Sequence, residues 1–189
     1  MNKAGYGDYM LTAAHCGSIG QTWCHPYQAD GTCADGVDYV GYTSALNAPA
    51  DGALLTGTYY DRIWLGATNT TSWHNVNYRV VSEAVGTHIC TGGAKSGQFC
   101  DLVITNLTAM NWNGYAYAVK ACSANTANDP VNGGDSGGPV YHMSSTSNLS
   151  MHGMISAEVL APNENCMLYV PMYRLESGLG ITLKTHGAE

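Results

Sequence analysis

Phenylalanine occurs once in this 189-residue chain, and charged residues make up only 11% of it, far below the quarter or so of an average globular protein. Basic residues are scarcest: seven Lys and Arg stand against fourteen Asp and Glu, a formal net charge of −7. No run of Lys or Arg occurs, which excludes a nucleic-acid surface. No apolar stretch approaches the roughly 20 residues a membrane span needs, so no membrane is expected as a partner. Met1-Asn2-Lys3-Ala4-Gly5 leads into no apolar core of a signal peptide. None of the seven cysteines forms a Cys-x-x-Cys pair, which excludes a zinc site of that kind, and neither metal nor cofactor is expected. Internal repeats and low-complexity tails are also missing. What remains is 45% hydrophobic, enough for a core, with 23 glycines, 13 tyrosines and abundant Thr, Ser and Asn. This is the composition of a secreted β protein rich in turns, of one domain or two small ones.

The most specific stretch is Gly134-Asp135-Ser136-Gly137-Gly138-Pro139-Val140. A serine hydroxyl is a weak nucleophile at neutral pH and needs an adjacent base and a prepared site for the oxyanion. Three glycines around one serine let the backbone turn tightly and aim its N–H groups at a reacting carbonyl. Pro139-Val140-Tyr141 then begins a strand.

Another stretch, Thr12-Ala13-Ala14-His15-Cys16, follows the apolar Tyr9-Met10-Leu11. An apolar strand runs into small residues and presents a histidine, the side chain suited to moving a proton near neutral pH. The other six, His25, His74, His88, His142, His152 and His186, read as surface or structural residues. Between His15 and Ser136 the acids able to orient the imidazole are Asp30, Asp35, Asp38, Asp51, Asp61, Glu83, Asp101 and Asp129.

In this order, Thr-Ala-Ala-His-Cys and Gly-Asp-Ser-Gly-Gly-Pro resemble the two signature blocks of trypsin/chymotrypsin-like serine proteases. The order separates them from subtilisin-like enzymes, where Asp comes first, and α/β-hydrolases, where Ser comes first. Asp51 opens Asp51-Gly52-Ala53-Leu54-Leu55, which resembles the family's Asp-x-Ala-Leu block. It is therefore the first choice of acid, ahead of Asp61 and then Asp38.

Strands are expected at 9–13, 37–42, 52–55, 59–66, 76–85, 100–107, 115–122, 138–143, 150–156 and 166–169, with one helix over 171–178. Residues 17–37 read as an irregular loop and 67–74 as a polar link. The chain is thus all-β. The resemblance implies two antiparallel β-barrels with the site between them. A partial first barrel over 1–74 would carry His15 and Asp51, and a complete barrel over 75–189 would carry Ser136. Only about eight residues precede the histidine strand, so the first barrel is expected to be incomplete, the chain truncated at its N-terminus, and Cys16 left without its partner.

Sequence does not fix disulfide connectivity. Local loops suggest Cys24–Cys33 and Cys90–Cys100, and the loop closed by Cys90–Cys100 resembles one in bacterial members of the family. A bridge in relatives suggests Cys122–Cys166. The resemblance further implies an oxyanion hole from the N–H groups of Gly134 and Ser136. It makes Ser156 a support for Asp51 and the start of a substrate-pairing strand. Glu158 falls near the pocket mouth, and Asp129 lies close to the position that gives Lys/Arg specificity in relatives. Strict trypsin-like preference is not expected. In trypsin-like relatives the residue matching Asp135 pairs with a freed N-terminus, and no activation sequence is seen here. The expected function is a secreted, monomeric serine endopeptidase acting on protein or peptide substrates. The alternatives are a catalytically silent homologue that binds, or an esterase using the same triad.

Overall fold

The computed structural model describes residues 1–3, 7–24, 33, 39–112, 115–124, 129–145, 148–159 and 165–187. Strands β1 (Asn2–Lys3), β2 (Gly7–Ala13), β3 (Thr22–Cys24), β4 (Tyr39–Asn47) and β5 (Gly52–Thr56) form one antiparallel sheet in the order β1-β2-β5-β4-β3. β5 is the centre of this sheet, and its Gly-Ala-Leu-Leu run is buried throughout. Such a continuous apolar run belongs to a strand covered on both faces. Among the described residues this first sheet does not close on itself.

A two-stranded ribbon of β6 (Arg62–Trp64) and β7 (Trp73–Asn75) follows, and then β8 (Tyr78–Arg79). The remaining strands are β9 (His88–Gly93), β10 (Gly97–Trp112), β11 (Tyr115–Ser123), β12 (Pro139–Ser145), β13 (Asn148–Val159) and β14 (Cys166–Pro171). They pair antiparallel in the order β12-β9-β10-β11-β14-β13, and β13 returns to β12. That last pairing closes a six-stranded barrel and leaves no edge within the ring. Its interior is filled by Ile89, Leu102, Ile104, Val119, Ala121, Val140, Ile155, Met167 and Tyr169.

Helix α1 (Met172–Leu179) follows directly on β14. Pro171 cannot donate to a helix and sits at its start, and Gly180 ends it in the left-handed conformation at φ 64°. Met172, Leu175 and Leu179 are buried at the spacing of one helical face. Met172 and Leu175 lie in an apolar layer joining the first sheet to the barrel, where Ala13 and Ala50 meet Met154 and Val170. No helix among the described residues is long and apolar enough to cross a membrane.

Two strand expectations need correction. Within 59–66 only β6 is a strand, because the Tyr59 hydroxyl packs on the carbonyls of Val40 and Thr56 at 2.7 and 2.8 Å and turns the chain there. Within 76–85 only the two residues of β8 pair, and the barrel strand is instead β9. The His-Ile-Cys-Thr-Gly-Gly sequence of β9 lacks apolar alternation and ends in glycines, so pattern reading passes over it. β3 also lies inside the stretch read as a loop.

Candidate active site

Asp51 ends a short 3-10 turn, Ala48–Ala50, that connects β4 to β5. The Asn47 side chain accepts from the Ala50 N–H at 2.9 Å and starts the turn. Asp51 is the only described non-glycine residue with positive φ, at 48°. Aspartate tolerates this conformation better than most side chains, yet it still costs on the order of 1 kcal/mol, so the surroundings must hold it. They do: its carbonyl accepts from the Ala14 N–H at 2.8 Å, and its carboxylate is fully buried.

Three donors converge on that carboxylate. The His15 backbone N–H reaches Oδ1 at 3.0 Å, His15 Nδ1 lies 2.8 Å from Oδ2, and the Ser156 hydroxyl donates to Oδ2 at 2.5 Å. His15 belongs to the 3-10 turn Ala14–Cys16 that ends β2, so neighbouring strands β2 and β5 deliver the pair side by side. The hydrogen bond to Asp51, with a further contribution from the Cys16 thiol and against the effect of burial, raises the imidazole pKa to about 10. The side chain is 31% exposed.

The loop at residues 134–138, where the nucleophile is expected, is tied into the same place. Its Gly137 N–H donates to the Ile155 carbonyl, and the Ile155 N–H donates to the Gly138 carbonyl, both at 2.9 Å. Gly137 has φ +89°, and a Cβ there would stand 2.3 Å from Thr12 Oγ1 and 3.0 Å from the Ala13 nitrogen. The loop therefore lies against the end of β2, just before His15. The Cys16 thiol reaches the Ser136 carbonyl at 4.0 Å. Strand β13 then links Ser156, on Asp51, to Ile155, on the serine loop.

The other acids have different partners or lie outside the site. Asp61 pairs with His186 at 2.9 Å, Glu83 with the buried His152 at 2.8 Å, and Asp101 accepts from Ser123 at 3.1 Å. Asp129 is exposed and makes no hydrogen bond or ion pair among the described residues. Asp30, Asp35, Asp38 and His25 lie outside the described residues. Glu158 is partly buried on β13, in register with buried Met167. His142 faces the His88 carbonyl at 2.9 Å. Disulfides join Cys24–Cys33, Cys90–Cys100 and Cys122–Cys166, and Cys16 is free. No group of His, Cys, Asp or Glu among the described residues is arranged to hold a metal ion.

Sequence reading missed the surroundings of Asp135. This residue is buried, and its carboxylate accepts from the N–H groups of Lys95 at 2.7 Å, Ser96 at 3.0 Å and Asn132 at 2.8 Å. The only signal was the glycine pair Gly92-Gly93 beside a disulfide-bounded turn, which marks a place where something packs against the backbone.

No protein-family model matches the chain, and no curated protein matches its sequence. Its fold is nevertheless similar to several solved structures. The chymotrypsin of Cellulomonas bogoriensis superposes with a TM-score of 0.65 at 18% identity, over 93% of this chain and 85% of that one. A protease from Nocardiopsis gives 0.66 at 19% identity, over 98% and 89%. A serine protease described as specific for glutamic acid, with a histidine triad in substrate binding, gives 0.68 at 19% identity, over 93% and 86%. The fold is thus the chymotrypsin-like arrangement of antiparallel β-barrels.

Proposed function

We propose that this chain is a serine endopeptidase working through His15, Asp51 and Ser136. The observation that carries the reading is the buried Asp51 carboxylate, which engages His15 Nδ1 beside the nucleophile loop. In this reading Ser136 attacks a peptide carbonyl while His15 takes its proton and later returns it to the leaving amine. Asp51 holds the imidazole in the tautomer with its proton on Nδ1, and stabilises the imidazolium. The N–H groups of Gly134 and Ser136 receive the oxyanion, an interaction worth a few kcal/mol of barrier in such sites. Residues 156–159 continue β13 past its pairing with β12, which ends at Met154. Their edge away from β14, unpaired among the described residues, would take an extended substrate as an added strand.

The halves 1–74 and 75–189 would then be the two structural units of one protease domain, carrying His15 with Asp51 and Ser136 respectively. Ser156, Glu158 and Asp129 are assigned to the substrate side. Three disulfides in so small a chain fit an extracellular enzyme acting on protein or peptide substrates. Ser136→Ala tests the reading: hydrolysis of peptides and labelling by a fluorophosphonate should both vanish. Labelling retained on another residue would refute the assignment of Ser136. Parallel assays on peptides and simple esters separate a peptidase from an esterase, and only peptide-bond cleavage supports the reading.

A further inference from the structure

A buried carboxylate stands immediately before the proposed nucleophile, and its partners are unusual for a charge. Asp135 is 1% exposed, and no ion pair among the described residues involves it. Its charge is carried by three main-chain amides instead, two of them from the turn at residues 93–97 that joins β9 to β10. Amides fixed by a hairpin can hold a buried anion because they cost no ordering when it arrives.

The turn fits the loop in other ways as well. The Asn132 side chain donates to Ser96 Oγ at 2.9 Å, so the loop grips the turn in return. Lys95 covers Gly134, its Cδ 3.8 Å from where a Cβ of that glycine would be. At Gly93 a Cβ would stand 2.3 Å from the carboxyl carbon of Asp135, so the space for the carboxylate exists only because residue 93 is glycine. Gly93 pairs with Gly97 across the hairpin, and the Cys90–Cys100 disulfide fastens its base. Asp135 lies between the residues whose N–H groups the proposed mechanism uses, Gly134 and Ser136.

Resting on the protease reading, we infer that the turn at 93–97 is the positioning element of the oxyanion loop. It acts through Asp135, with Gly93, Ser96 and Asn132 as its positioning residues. The loop is therefore set by the chain's own hairpin on folding, with main-chain amides forming the clamp.

The test uses kinetics and a transition-state analogue. Gly93→Ala inserts a methyl group against the carboxylate and should lower kcat about 100-fold, comparable to losing one oxyanion donor, with KM within about twofold. Affinity for a peptide aldehyde, which forms a tetrahedral adduct, should fall in parallel. Affinity for the same peptide without the aldehyde should not change. Asn132→Ala removes only the reciprocal bond to Ser96 and should lower kcat and aldehyde affinity about fivefold, the share of one neutral hydrogen bond. It decides the matter if Gly93→Ala does not fold. Kinetics and aldehyde affinity unchanged in a folded variant would overturn the clamp while Ser136 labelling in the wild type keeps the protease reading. Absence of that labelling in the wild type would overturn both.

Discussion

Asp51→Asn exchanges one carboxylate oxygen for an NH2 group with almost no change of shape, and the surrounding donors dictate which one. Oδ1 faces the His15 backbone N–H at 3.0 Å, a donor that cannot turn away. The amide oxygen must stay there, and the NH2 takes the place of Oδ2. That atom faces the Ser156 hydroxyl and is the nearer of the two oxygens to His15 Nδ1, at 2.8 Å against 3.0 Å for Oδ1. The hydroxyl can rotate and become an acceptor. The imidazole can accept only by moving its proton to the outer nitrogen, where the nucleophile needs a base. The wrong tautomer should lower kcat about ten-thousandfold, or roughly 5 kcal/mol of barrier, with little change in KM. The pH profile should shift too. In the wild type, activity should rise with pH toward the raised His15 value of about 10, as the imidazole loses its proton. Without the carboxylate charge, the His15 titration should move back toward the ordinary 6.5. Initial rates on a peptide substrate across pH, normalised to titrated sites, give the first quantity, and NMR titration of the imidazole gives the other. A loss below about tenfold, with the His15 titration unmoved, would show that Asp51 is not the orienting acid.

Three further outcomes follow from the packing and the charges. Gly137→Ala sets a Cβ 2.3 Å from Thr12 Oγ1 at a φ of +89°, displacing the loop from β2. Peptide hydrolysis should fall about 100-fold or more, and activity within about threefold of wild type would contradict this placement. Leu175 is fully buried against Gly52, so Leu175→Ala should cost about 2–5 kcal/mol in denaturant unfolding, and a cost below about 1 kcal/mol would contradict the packing. The raised His15 pKa means its pairing stabilises the fold fully below the ordinary 6.5 and loses that effect as pH rises through about 10. Unfolding midpoints should therefore separate wild type from His15→Gln more at about pH 6 than at about pH 11, and an equal separation would argue against the coupling.

The parts legible in the sequence are those where local chemistry leaves one solution. Gly134 to Val140 and Thr12 to Cys16 stand out because a nucleophile loop and a histidine turn demand small residues at fixed offsets. Asp51 is marked by the apolar strand it opens, and the helix after Pro171 by its face and its glycine stop. All three disulfides follow from loop size and resemblance. The errors arise where tertiary contacts decide. β9 is a strand because β10 and β12 bracket it, although its own residues argue for a turn. Residues 59–61 look like a strand yet are bent by the Tyr59 hydroxyl. The Asp135 clamp is invisible because its donors are main-chain amides, which every sequence has, two of them brought in from about 40 positions away.

Small residues also explain why the proposed site stands out in the sequence. At the proposed site itself the histidine side and the serine side meet through small residues, Gly137 against Thr12 and Ala13. Ala13, Ala14, Ala50, Gly52 and Ala53 are buried around His15 and Asp51. Gly137 touches Thr12 and Ala13, Gly52 receives Leu175 and Leu179, and Gly93 receives Asp135. A closed interior packs densely, so each added carbon at these places must move a backbone, and a shift of about 1 Å at a reacting centre is costly. The hydrogen bond that bridges the halves, from Ser156 to Asp51, is 2.5 Å long, and the one that ties the serine loop to the same strand, from Gly137 to Ile155, is 2.9 Å, so neither tolerates a shift of that size. Large apolar residues such as Leu54, Met154 and Tyr169 can exchange volume with their neighbours and need only stay apolar. The alanines and glycines cannot exchange in this way. The same steric demand that brings the proposed triad together also limits which residues can occupy these positions, and that limit is what a reader of the bare sequence detects.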